Sequence, residues 1–129
     1  MERLRALAVF ARGPLAESSP KLKVRRASRR PNRLGFAIPG ESRLSVTDYP
    51  GIRPGDALET LLHELVHLHV GRRRDGHAWH GRTFKDTLAQ AMAEAYGITV
   101  RPPNCRHGVY AEALERRRLR TGEQLELTN

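Results

Sequence analysis

Apolar positions along this 129-residue chain follow two periods, and the change from one to the other divides it. Leu58, Leu61, Leu62, Leu65 and Leu68 recur at steps of three and four, the spacing of one helical face. Asp56 with Glu59 three positions on reads as a capping box after the Pro54-Gly55 turn, and Gly71 is a stop signal. The pattern predicts a helix from about Ala57 to Val70. Phe84, Leu88, Ala91, Met92 and Ala95 predict a second helix, ended by Gly97. Upstream the apolar residues alternate instead. Lys21 to Ser28 does so weakly, with Leu22 and Val24 on one face, and Leu34 to Ile38 and Arg43 to Thr47 are joined by the hairpin-length Pro39-Gly40-Glu41-Ser42. Ile98 to Val100 reads as a brief strand. The expected fold is α+β, a small antiparallel sheet packed with the two helices. Residues 1–20 read as a short helix, with Leu4, Leu7 and Phe10 on one side, and a linker from Gly13 to Pro20. Residues 21–100 form the core, and 101–129 a basic polar tail with a helix from about Tyr110 to Arg120. No segment repeats.

The first long helix carries His63-Glu64-Leu65-Val66-His67, an H-E-x-x-H pattern. Residues four apart on a helix share a face, so His63 and His67 can hold one metal ion. At about 100° per residue they lie about 140° and 180° from Leu58, away from the leucines and toward a cleft. Glu64 stands where a general base must stand to take a proton from a metal-held water. Catalytic zinc takes three protein ligands and leaves a position open, so a third ligand comes from outside the helix. His80, just before the second helix with Thr83 and Asp86 as a capping pair, is favoured, and His77 and Glu94 are the alternatives. The longer metzincin pattern fails, because Val70 and Arg73 occupy its glycine and last histidine positions. His69 lies about 20° from Leu58 and belongs to the buried face. His107 reads as solvated.

Composition narrows the class. The one cysteine, Cys105, excludes an internal disulfide and a cysteine-built zinc ribbon. The apolar run in Met1 to Ala11 is too brief for a signal-peptide core, and no stretch approaches a transmembrane span. A cytoplasmic protein is expected. Net charge is +9, and its placement matters more than its size. Lys21, Lys23, Arg25, Arg26, Arg29, Arg30 and Arg33 occur with no acidic residue among them, and Arg72, Arg73 and Arg74 form a second cluster in the loop after the motif. A third is Arg116 to Arg118 with Arg120. Such runs suit phosphate backbones. No aromatic-rich strand supports sequence-specific reading of bases.

The order of elements, with Thr60-Leu61-Leu62-His63-Glu64-Leu65-Val66-His67 and then His80-Gly81-Arg82-Thr83-Phe84, resembles the SprT-like zinc metallopeptidase family, which includes the Spartan DNA–protein crosslink proteases. Arg33-Leu34-Gly35-Phe36-Ala37 before Leu44-Ser45-Val46 looks like that family's hairpin, and the resemblance covers about Val24 to Gly97. It implies a zincin fold, one Zn2+ held by His63, His67 and His80, and Glu64 as the catalytic residue. Many family members carry a cysteine zinc ribbon, which this chain cannot make. The expected activity is zinc-dependent hydrolysis of a protein or peptide substrate, with DNA reached through the basic arms. A non-peptidase zinc hydrolase and a basic nucleic-acid-binding module with structural zinc are the alternatives. Glu64 separates the last from the others, because a structural site has no need of a carboxylate beside its ligands. His77, Arg82 and Tyr110 are candidate oxyanion donors, and Trp79 reads as packing.

Overall fold

The chain is described by a computed structural model over residues 1–71, 81–102 and 108–122. In order it forms α1 (Glu2–Arg5), a 3-10 turn (Ala8–Phe10), α2 (Pro14–Glu17), β1 (Lys21–Arg26), β2 (Gly35–Ile38), β3 (Arg43–Asp48), α3 (Pro54–Val70), α4 (Arg82–Tyr96) and α5 (Val109–Thr121). This is the expected mixture of helices with a small sheet.

The sheet has three strands in the order β1-β3-β2, and it is mixed rather than antiparallel. β2 and β3 form the predicted antiparallel hairpin, but β1 runs parallel to β3. The reason lies in strand composition. Leu44 to Thr47 are all buried, and such a strand belongs in the middle, where both of its edges are paired. β1 carries Lys21, Lys23, Arg25 and Arg26 and takes an edge, where cations discourage further pairing. Alternation then sorts the sheet into two faces. Leu44 and Val46 join the core, with Leu22 and Ala37 packed against it. Gly35, paired with Val46, closes this face against α3: a β-carbon there would lie 2.5 Å from the Ser45 carbonyl oxygen and 2.8 Å from Thr60 Cγ2.

Helix α3 is buried on every side rather than along one arc. Leu58, Leu61, Leu62 and Leu65 are fully covered, each worth about 1.5–3 kcal/mol of burial. The histidine side is covered too, so the predicted cleft face is an interior face among the described residues. The helix also starts earlier than its sequence pattern suggests. Pro54 occupies the first turn, and Asp56 sits at the third helical position, accepting from the Arg53 backbone N–H at 3.0 Å. Burial pushes the Asp56 carboxyl up, but the hydrogen bonds from Arg53 outweigh it and hold the group below its ordinary range.

Glu59, freed from that capping role, reaches α5. Its Oε1 accepts from the Gly108 N–H at 2.7 Å, and its Oε2 from Tyr110 and Ala111 at 2.8 and 3.0 Å. In return Glu115 of α5 accepts from the Gly55 N–H, in the first turn of α3, at 2.7 Å. Each helix supplies a carboxylate to the other's N-terminus, where unpaired donors and the helix dipole favour negative charge. A β-carbon on Gly55 would meet the Ala111 carbonyl at 2.8 Å, so only glycine lets the two helices approach this closely. The helix expected within a polar tail is therefore present and packs as core, with Tyr110, Ala113 and Leu114 in the same cluster as α3.

The N-terminal segment also packs rather than links. Phe10 and Leu15 are fully buried; the single predicted helix is broken into α1 and the 3-10 turn, and α2 forms within the stretch expected to be a linker. Residues 98–100 are not a strand. Gly97, left-handed at φ 67°, ends α4, and the Ile98 N–H turns back to the Met92 carbonyl to close the helix end. The N-cap of α4 is Gly81 with no side-chain cap, while Asp86 pairs with Arg82 and Arg101 instead.

Candidate metal centre

Helix periodicity places His63 and His67 one turn apart, and packing fixes their rings. The imidazoles meet edge to face with centroids 4.9 Å apart. Phe84, from the first turn of α4, lies 4.8 Å from one ring and 4.4 Å from the other. Both histidines are nearly inaccessible, at 7% and 4% exposure. His63, Glu64 and His67 each offer an atom within 4.8 Å of the others, the scale of one ion's coordination sphere. A metal ion is thus compatible with this group.

Glu64 stands in a strongly desolvated environment. It is 4% exposed, and its Oε2 finds no hydrogen-bond partner among the described residues. Burial pushes its carboxyl up to about 7, and the positive charge of Arg33 pulls against that shift. A buried oxygen without a partner is costly unless something is meant to meet it. A metal ion, or a water held by one, is a suitable partner. Gly35 sets the approach of the sheet to this carboxylate, since a β-carbon there would sit 3.3 Å from Glu64 Cγ.

The remaining candidates fall in different places. His80, with His77, Trp79, Arg72, Arg73, Arg74 and His107, lies outside the described residues. Glu94 is not with the histidines. It is exposed near the far end of α4, about 15 Å along the axis from Phe84, where it accepts from the Val9 N–H at 3.2 Å and from Gln90 at 3.1 Å. His69 is half-buried beside Phe10, with ring centroids 5.3 Å apart, and burial lowers its pKa. Of the oxyanion candidates, Arg82 is 92% exposed and bridges to Asp86, and Tyr110 is buried in α5. Arg25 and Arg26 end β1 with side chains on opposite faces, and Arg29 and Arg30 are exposed in the following loop.

Three participants escaped the sequence pattern. Phe84 looked like an ordinary core residue of the second helix, and Gly35 like a hairpin residue. Arg33 looked like one cation in a run of seven. Only the tertiary packing brings Phe84 to the histidines and Gly35 and Arg33 to Glu64.

No helix among the described residues is long and apolar enough to cross a membrane. Comparison with protein-family models, with curated proteins and with solved structures finds no match.

Proposed function

We propose that this chain is a zinc-dependent peptidase of the SprT-like kind, in which Glu64 is the general base. The observation that carries the reading is the Glu64 carboxylate itself: buried, without a hydrogen-bond partner on Oε2 among the described residues, and grouped with two histidines. His63 and His67 would hold the ion through ring nitrogens, with His80 as the third ligand. Zinc would supply a Lewis acid that polarises the scissile carbonyl and acidifies water. Glu64 Oε2 accepts the proton of the attacking water and passes it to the leaving amine. Phe84 keeps the two imidazoles in their rotamers and excludes water from one side of the site. The uninterrupted cations from Lys21 to Arg33 favour substrates that sit on DNA, which the SprT-like resemblance also suggests.

A labelled unfolded protein tests the reading. Cleavage should require zinc, stop on chelation and return when zinc is restored. Cleavage that persists after complete removal of metal would exclude it.

A further inference from the structure

Strand β1 leaves one of its two edges open, and the residues along that edge define a partner. Among the described residues β1 pairs only with β3. The Lys21 and Ala27 N–H groups turn to that side, donating to the Ser42 and Asp48 carbonyls at 3.0 and 2.9 Å. Backbone groups alternate in direction along a strand, so the N–H and C=O of Leu22, Val24 and Arg26 point to the open edge. The same alternation sorts the side chains. Leu22 and Val24 lie on the α3 side, level with Leu44 and Val46. Val24 is 46% exposed. Beside it opens a cavity of about 310 Å³ lined by Val24, Val46, Ile52, Pro54 and Ala57, with Asp48 and Arg53 also in its wall. Lys21, Lys23 and Arg25 lie on the opposite face and are exposed. Among the described residues no carboxylate forms an ion pair with these three cations.

We propose that the open edge of β1 docks an extended protein segment in which apolar side chains alternate with aspartate or glutamate. The segment adds to the sheet as a further strand, about 4.8 Å beyond β1, hydrogen-bonded to the backbone of Leu22, Val24 and Arg26. Its apolar residues enter the cavity beside Val24. Its acidic residues then lie on the other face, against Lys21, Lys23 and Arg25. The reverse arrangement is disfavoured, because a carboxylate on the α3 side would meet Asp48 and an apolar wall. Cations along an edge strand repel most added strands. Here they select: a second copy of β1 is opposed by its own charge, and an acidic strand is attracted. A polyanion without apolar groups could use the cations but not the exposed valine, the cavity or the open backbone edge. β2, at the far edge of the sheet, is the strand whose Gly35 lies against Glu64. A segment on β1 is therefore held rather than cut, and the inference does not depend on peptide hydrolysis.

Fluorescence anisotropy of a labelled octapeptide alternating valine and glutamate, titrated with the full chain, tests it. This peptide should bind, and one alternating valine and lysine should not. Methylating every second backbone nitrogen of the peptide should abolish binding in one register and spare it in the other, because only one set of N–H groups faces β1. Val24→Asp should weaken binding about tenfold, the contribution of one partly buried valine. Replacing Lys21, Lys23 and Arg25 together with Ala should weaken it about three- to a hundredfold, three surface ion pairs at their usual strength, and flatten its salt dependence. Circular dichroism establishes that each variant is folded. No binding, equal binding of the lysine peptide, indifference to methylation in both registers, or wild-type affinity in either variant would overturn the proposal. So would self-association that Val24→Asp abolishes, which assigns the edge to a second copy. Peptide binding that appears only after residues 123–129 are removed would also overturn it, by assigning the edge to the chain's own end.

Discussion

Metal-free protein should become less stable as pH rises through the neutral range, and Glu64 should be the reason. In the unfolded chain this carboxyl ionises near its ordinary value of 4.5, whereas in the folded metal-free protein burial keeps it protonated up to about 7. Below about 4.5 both states hold the proton and folding carries no penalty from this group. Between the two values the unfolded chain has released a proton that the folded chain keeps, so each pH unit lowers stability by about 1.4 kcal/mol. Above about 7 both are ionised, and the full penalty of about 3 kcal/mol remains. Glu64→Gln removes the charge and so the penalty. Urea unfolding of chelator-treated wild type and Glu64→Gln, followed by circular dichroism at pH 5 and pH 8, measures it. The histidines are common to both proteins, so the difference between them isolates Glu64. The variant should gain on the wild type by about 2–3 kcal/mol between pH 5 and pH 8, a relative shift in midpoint of roughly 1–2 M urea. Added zinc should shrink the gain, because a nearby cation favours the ionised carboxylate. A difference between the two proteins that is the same at both pH values would show that the carboxyl is not desolvated, and the argument from burial would fail.

Three further outcomes follow from the packing. Alanine at His63 or His67 should abolish stoichiometric zinc and His80→Ala should weaken it strongly, whereas His77→Ala and His69→Ala should keep it; metal analysis after dialysis decides, and loss with His77→Ala but not His80→Ala would reassign the third ligand. Gly35→Ala should destabilise by about 1–3 kcal/mol in urea, because its methyl group must displace the Ser45 carbonyl, Thr60 or Glu64. Glu59→Ala should cost about 1.5–3 kcal/mol, because it removes the charged acceptor of three backbone donors at the start of α5, and its unfolding midpoint should fall well below that of Glu112→Ala, whose carboxylate is exposed.

Much of the architecture was legible because local patterns agreed with packing. The leucine period located α3, and the Phe84-to-Ala95 period located α4, since each helix buries the face that its sequence marks. The Pro39-to-Ser42 loop located the β2–β3 hairpin for the same local reason. What escaped depends on partners distant in sequence. Glu59 looked like half of a capping box for its own helix, and nothing local marks it as the cap of a helix that begins some fifty residues later. The parallel pairing of β1 with β3 depends on which strand can be buried on both sides, a comparison between strands that no single pattern contains. In the candidate site, the spacing of His63, Glu64 and His67 was fully visible, and the closeness of their ligand atoms follows from one helical turn. Phe84 was invisible as a site residue, because a core phenylalanine and one that walls two imidazoles have the same sequence signature.

The central claim is that Glu64 moves a proton during peptide hydrolysis without being needed for the fold or for zinc. Measuring zinc content and peptide-cleavage rate together for wild type and Glu64→Gln tests it most directly. The account predicts one zinc per chain in both proteins and a rate at least about 10²–10⁴-fold lower in the variant, the range for loss of a general base. A Glu64→Gln variant that holds its zinc and cleaves at nearly the wild-type rate would contradict it.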